Sequence, residues 1–149
     1  MSPGTPGGAP LSMSAVQDQI VAEMAHREEP LEKYEYLVDL GRSLEAPTES
    51  IRQDAYAVPG CLSRVWIRAR LDGGRLSIHA DAEALITRGI IALLLRVLDG
   101  RTPAEILGGD LFFLDRTGLG SHLSPARANG LAVMVRQIRR LAEEATAAA

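Results

Sequence analysis

Apolar and polar residues alternate in the middle of the chain, which predicts one β-hairpin. The alternation runs from Val65 to Leu71 and again from Leu76 to Ala80, the period of strands with one buried face. The intervening Asp72-Gly73-Gly74 is a favourable hairpin turn. We also consider a third strand around Tyr56 to Val58.

Apolar residues at helical spacing precede this hairpin and predict two helices. The first is expected to begin at Ser14, three residues before Gln17, in a capping-box arrangement. The second is expected to begin at Pro30, suited to a first helical position, and to end at Gly41, a natural left-handed cap. Its predicted buried stripe is Leu31, Tyr34, Leu37 and Val38.

The helical period returns after the hairpin. A strongly apolar helix is predicted to end near Gly100, and Gly89 inside it is interpreted as a point of close packing. Thr102-Pro103-Ala104-Glu105 contains a cap, a first-position proline and a capping-box glutamate. A short helix near Leu111 to Arg116 follows, and Ser124-Pro125 begins the last one. The fold class predicted is α+β, a small antiparallel sheet covered by helices.

Length, charge and hydropathy predict a single domain and argue against nucleic-acid and membrane partners. The chain has 149 residues, which suits one domain, and residues 1–12 are predicted to be a disordered tail before a single domain at 13–149. Its net charge of −3 contains no long run of like charge, so no nucleic-acid partner is predicted. The longest apolar run, Ile90 to Leu95, is too short to cross a bilayer, so no membrane partner is predicted either.

The chain contains a single cysteine, Cys61, which excludes an intramolecular disulfide and a cysteine-ligated cluster held by this chain alone. With no secretory signal visible, the expected compartment is the cytoplasm. The spacings HxxxH, HExxH and CxxC do not occur, so no metal site is predicted.

Cys61 is the residue whose chemistry stands out. It follows Val58-Pro59-Gly60, a shaped turn directly before the first hairpin strand, and Arg64 nearby would favour its thiolate. The simpler interpretation is a small buried apolar residue. A hydrolase would instead need a histidine beside Cys61, and the three histidines, His26, His79 and His122, are scattered along the chain.

Charged positions near two helix starts are also informative. Asp81 and Glu83 suit the N-terminus of the apolar helix, where acidic side chains interact favourably with the helix dipole. Arg127, early in the last helix, is unfavourable for that dipole. We therefore predict that Arg127 has an external partner, either a carboxylate or a thiolate.

Four segments together resemble one known family, the SufE proteins. Lys33 to Gly41 resembles their early helix, and Val58 to Trp66 resembles their sulfur-accepting loop. Asp81-Ala82-Glu83-Ala84 with Arg88-Gly89 resembles the helix after the hairpin, and His122 to Arg127 resembles the start of the last helix. The segments occur in the family's order and extend over roughly residues 19–145.

This resemblance implies a fold like that of the IscU scaffold and a role as a persulfide carrier rather than an enzyme. Such a protein takes sulfur from a SufS-like cysteine desulfurase, which uses pyridoxal phosphate, stimulates that enzyme, and passes sulfur to a SufBCD-like iron–sulfur scaffold. The chain itself would bind no cofactor. The implied site has Cys61 as the sulfur-carrying residue, Gly60, Ser63 and Arg64 in its loop, and Glu83 and Arg127 as supporting or partner-binding residues.

Some residues depart from the family pattern and leave alternatives open. Many members have Gln at the positions of Leu62 and Arg64, and Arg64 resembles the CsdE branch. Glu83 stands where Asp is common. A CsdE-like acceptor with a different desulfurase and target is therefore one alternative. The others are a Cys61-dependent hydrolase or peroxidase and an interaction domain in which Cys61 has no role.

Overall fold

The computed structural model describes residues 11–44, 50–60, 64–119 and 123–148, and this part of the chain has the predicted α+β architecture. Strands β1 (Val65–Asp72) and β2 (Arg75–Ala82) pair in an antiparallel hairpin. Within the described ranges there are six α-helices: α1 (Met13–Met24), α2 (Pro30–Ser43), α3 (Leu85–Leu98), α4 (Pro103–Gly108), α5 (Phe113–Arg116) and α6 (Pro125–Ala148).

The hairpin follows the predicted alternation closely. Asp72 pairs with Arg75, so Gly73 and Gly74 form the turn, with φ angles of 57° and 80° that side chains rarely adopt. The third strand considered near Tyr56 to Val58 is not formed among the described residues. Only Ala57 bridges to β1, because Asp54–Tyr56 form a 3-10 turn and the following proline, Pro59, has no N–H to donate.

Helices α2 and α3 pack with their backbones almost in contact. A Cβ on Gly89 would lie 2.0 Å from the carbonyl oxygen of Leu37, which confirms that this glycine marks close packing. A Cβ on Gly41 would lie 2.2 Å from the carbonyl oxygen of Leu85. The prediction that Gly41 ends α2 is wrong, because the helix continues to Ser43 and the glycine serves packing instead.

The predicted start of α1 is also wrong by two residues. The N-cap is Ser12, whose hydroxyl accepts the N–H of Ala15 at 3.1 Å. Gln17, the expected capping-box partner, is completely buried. Its amide donates to the carbonyl oxygen of Asp110 at 2.9 Å and accepts the N–H of Phe113 at 3.1 Å. The side chain therefore joins α1 to the start of α5.

The stripe predicted on α2 is only partly buried. Leu37 is buried, whereas Leu31 and Tyr34 are 66% and 51% exposed. These two residues lie on the first turns of the helix, where the side chains reach the rim of a surface groove rather than the core. Their exposure is the first indication of a binding surface.

The last helices begin as predicted. Thr102 and Glu105 form a complete capping box at α4, with Pro103 in the first turn. Helix α6 begins at Pro125 and buries Leu131 and Met134, among others, against the core. Within the described ranges no helix combines the length and the apolar character needed to span a membrane.

Candidate functional site

The described residues that flank Cys61 in the sequence lie together at the start of β1. Cys61 and Ser63 themselves lie outside the described residues. Before them, the N–H of Val58 donates to the carbonyl oxygen of Val65 at 2.9 Å, which joins the two ends of the segment. Gly60 has a φ of 90°, so the Pro59-Gly60 turn uses a conformation that favours glycine. The two ends of the loop are thus fixed by β1.

Arg64 and Glu83, both predicted as site residues, are brought together at the other end of this loop. The backbone N–H of Glu83 donates to the carbonyl oxygen of Arg64 at 3.1 Å. A side-chain oxygen of Glu83 accepts the N–H of Arg64 at 3.3 Å. The glutamate therefore holds the backbone of the residue that follows the loop, in addition to standing just before the N-cap of α3, Ala84.

Trp66, in β1, contacts two guanidinium groups. The Cζ atoms of Arg52 and Arg64 are 4.8 and 5.1 Å from the centre of its rings. The indole is buried, with 2% of the residue exposed, and such cation–π contacts are stronger where water is excluded. Arg64 also reaches Asp54 at 3.9 Å, but this pair is exposed. The guanidinium group of Arg64 therefore stacks near the Trp66 ring while much of the side chain remains exposed to solvent.

Arg52, which contacts Trp66, also belongs to a largely buried ion-pair network centred on Asp81. Asp81 accepts from Arg52 at 2.9 Å and from Arg88, and its own backbone neighbour Ala82 donates to it at 2.8 Å. Arg88 additionally donates to the carbonyl oxygens of Gly41 at 2.9 Å and Leu44 at 2.7 Å. The network connects β2, α3 and the end of α2.

The predicted role of Asp81 in the dipole of the following helix is therefore wrong. Asp81 lies in β2, where its side chain is only 9% exposed and is paired with two arginines. Sequence reasoning missed this network because its partners are distant in sequence. The alternation gave no signal, because it places Asp81 with Ser77 and His79 on the polar face of β2.

Replacement of Asp81 by alanine is expected to lower the free energy of unfolding by about 3–5 kcal/mol, because Arg88 would keep its buried charge without its carboxylate partner. Urea denaturation followed by circular dichroism measures the change. The matched control is Asp39→Ala, since Asp39 pairs with Arg42 at 3.7 Å with both side chains exposed, and a loss under about 1 kcal/mol is expected there. Equal losses in the two variants would contradict the buried network.

A surface groove of about 550 Å³ lies between the start of α2, the start of α3 and the start of α6. Arg127 and Ser124 lie on its rim, and its lining is mostly apolar. Among the described residues, the side chain of Arg127 has no hydrogen-bond or ion-pair partner. The groove is lined by Pro30, Leu31, Lys33, Tyr34, Leu37, Ile86, Leu119, Leu123, Ser124 and Arg127.

Helix α6 connects this groove with the loop. A Cβ on Gly60 would lie 3.7 Å from the side chain of Val133, so the turn before Cys61 rests on α6. Arg127 precedes Val133 on the same helix by roughly 9 Å, at 1.5 Å per residue. The structure therefore places Gly60 against α6 and Arg64 against Glu83, whereas Arg127 stands farther along α6 and contacts neither pair.

The alternative chemistries, a metal site and a histidine-assisted thiol enzyme, would use histidine, cysteine and carboxylate side chains. No group of three or more histidine, cysteine, aspartate or glutamate side chains is arranged there to hold a metal ion. His26 and His79 are exposed, and His122 lies outside the described residues. The hypothesis of a histidine-assisted thiol enzyme depends on the surroundings of Cys61, which lies outside the described residues, and stays a prediction.

Comparisons with known proteins identify what the chain is similar to. Residues 18–142 match the family model described as SufE, Fe-S metabolism associated domain. An uncharacterized SufE-like protein of Synechocystis is 38% identical over 112 residues, 75% of this chain and 70% of that protein. Uncharacterized SufE-like proteins of Rhizobium meliloti and Rhizobium etli are 35% and 33% identical, covering 85% and 96% of this chain and 94% and 99% of theirs.

One solved structure supports the fold independently. The solution structure of a hypothetical protein from Thermus thermophilus superposes with a TM-score of 0.72. The alignment covers 89% of this chain and 96% of that one, at 18% identity. At 18% identity, the similarity between the two proteins concerns the fold alone.

Proposed function

The chain belongs to the SufE family, and from this premise we propose that it accepts persulfide sulfur on Cys61 from a cysteine desulfurase. The observation that carries the proposal is the anchored loop. The Val58–Val65 hydrogen bond holds both ends of the loop, and Glu83 holds the backbone of Arg64. The residues on either side of Cys61 are therefore held in a fixed relation to each other by β1.

The proposed transfer is a thiol–disulfide type of exchange. The Cys61 thiolate attacks the outer sulfur of the persulfide on the desulfurase cysteine, and the sulfur–sulfur bond of that persulfide breaks. The desulfurase cysteine leaves as a thiolate, and Cys61 becomes the persulfide. No net oxidation occurs and this chain needs no cofactor, since pyridoxal phosphate serves the desulfurase reaction that generates the sulfur.

The supporting residues have distinct proposed roles. Arg64 places a guanidinium beside the loop, which favours the attacking thiolate, while Glu83 keeps its backbone in position. Arg127, on the rim of the apolar groove, contacts a carboxylate of the desulfurase. Exposed Leu31 and Tyr34 provide apolar area for the same contact.

The remaining parts of the proposal concern the pathway around the transfer. The partner is a SufS-like desulfurase, the recipient is a SufBCD-like iron–sulfur scaffold, and the transfer takes place in the cytoplasm. A second candidate is a CsdE-like acceptor, which Arg64 favours because that residue resembles the CsdE branch. The two candidates share the chemistry of Cys61 and differ in the desulfurase served.

The test is the turnover of a purified desulfurase from the same source, measured as alanine formed from cysteine, with and without this chain. We expect turnover to rise severalfold, because transfer to Cys61 frees the desulfurase cysteine for another cycle. Trials with a SufS-like desulfurase and with the different desulfurase of a CsdE-like system separate the two candidates. Unchanged turnover with active enzymes of both kinds would contradict the proposal.

A further inference from the structure

A second cavity lies beside the Pro59-Gly60 turn, and its lining differs from that of the groove with Arg127. Its volume is about 380 Å³, and it is formed where the turn before Cys61 meets the middle of α6. We call it the arginine pocket, and the residues that define it are Val58, Pro59, Gly60, Val133, Arg136, Gln137 and Arg140. The last four lie along α6 at helical spacing, so one face of the helix forms its wall.

The charge of the arginine pocket is unbalanced. The described residues that line it include two guanidinium groups and no carboxylate. Arg136 is exposed and has no hydrogen-bond or ion-pair partner among the described residues. Arg140 contacts Gln137 at 2.5 Å and Glu144 at 3.9 Å, and the ion pair has side chains 60% and 65% exposed. Such a pair contributes little and is readily exchanged for another partner.

We propose that the arginine pocket binds an acidic segment of the desulfurase, and this inference rests on the proposed function. The chain as a whole has a net charge of −3, so a carboxylate partner is attracted by this local feature and not by the overall charge. Guanidinium groups hold carboxylates with two parallel hydrogen bonds, and the Pro59 and Val133 side chains add apolar contact beside them.

The arginine pocket lies next to the residue that precedes Cys61, so a partner bound there is held close to the proposed sulfur-carrying cysteine. Gly60, part of its wall, directly precedes Cys61 in the sequence. A desulfurase that contacts both the arginine pocket and the groove with Arg127 is held at two places along α6, one of them next to the residue that precedes Cys61. Both contacts involve α6, so one rigid helix fixes the relative position of the two proteins.

The experiment compares three variants in the desulfurase assay: Arg136→Glu/Arg140→Glu, the neutral Arg136→Gln/Arg140→Gln, and the control Arg75→Glu. Arg75 stands beside the hairpin turn, at the end of the hairpin opposite Arg64 and Glu83. The charge-reversed variant is expected to need about tenfold more protein for half-maximal stimulation, with maximal turnover retained. The neutral variant should lie between wild type and reversal, and the control should match wild type.

Salt dependence provides a second readout. Raising the salt from about 50 to 200 mM is expected to weaken stimulation by wild type more than by the neutral variant, because screening acts on the contacts that the variant lacks. An unchanged half-maximal concentration in both double variants would overturn this inference while stimulation by wild type still stands. Absence of stimulation by wild type would instead contradict the proposed function.

Discussion

Cys61→Ser is expected to reduce desulfurase stimulation to the rate of the desulfurase alone. A serine hydroxyl is not ionised at neutral pH and does not form a persulfide, so the attack on the outer sulfur is lost altogether. The substitution changes one atom, and the contacts that fix Val58, Arg64 and Glu83 do not involve it. The loss is therefore expected without a change in fold.

A competition assay separates loss of chemistry from loss of binding. Because the groove with Arg127 and the arginine pocket remain in the Cys61→Ser protein, it should inhibit stimulation by wild type in a concentration-dependent way. Circular dichroism confirms that the variant is folded. Full stimulation by the folded variant would show that Cys61 has no role and would favour an interaction domain.

Gly89→Ala is expected to lower the free energy of unfolding by about 3 kcal/mol, at the upper end of the range for overpacked sites. The new methyl group would lie 2.0 Å from the carbonyl oxygen of Leu37 and 2.7 Å from its carbonyl carbon. These are backbone atoms, so no side-chain rotation relieves the contact. Helices α2 and α3 would have to separate, and Arg88, which joins them, would lose its alignment with Gly41.

Gly130→Ala is the matched control for this effect. Gly130 also lies inside a helix, α6, but a Cβ there meets no atom within 4 Å. Alanine should therefore raise the free energy of unfolding by about 0.5–1 kcal/mol through helix propensity alone. Thermal and urea denaturation of both variants measure the difference. A Gly89→Ala protein as stable as wild type would contradict the close contact of α2 and α3.

The sequence predicted the elements whose signals are local. The hairpin follows from alternation and from two glycines at its turn, and the start of α4 follows from Thr102 and Glu105. The close packing at Gly89 was predicted correctly because a glycine weakens a helix, and inside a strongly apolar one it indicates a neighbouring backbone. In each case the residues responsible are neighbours in the chain.

Features that depend on distant partners could not be predicted. Gln17 looked like a capping residue, but its partners Asp110 and Phe113 are more than ninety positions away. Gly41 looked like a helix end because its packing against Leu85 depends on how α2 and α3 meet. Helical periodicity also cannot tell a buried stripe from the rim of a groove, which accounts for the exposure of Leu31 and Tyr34.

The candidate site shows the same division. The Val58-Pro59-Gly60 turn was predicted to stand directly before the first strand, and the φ of 90° at Gly60 and the start of β1 at Val65 agree with that. The pairing of Arg64 with Glu83 was not predicted, since it joins the two strand ends across the hairpin. The arginine pocket also escaped prediction, because Arg136 and Arg140 approach the loop only when α6 packs beside it.

Mass spectrometry of the chain after incubation with a desulfurase and cysteine decides whether Cys61 carries sulfur. We expect added sulfur, about 32 Da per atom, on the peptide that contains Cys61, and its removal by a reducing thiol. The Cys61→Ser protein should gain no mass. An unmodified Cys61 peptide beside an active desulfurase, or added sulfur that persists in Cys61→Ser, would contradict the carrier role.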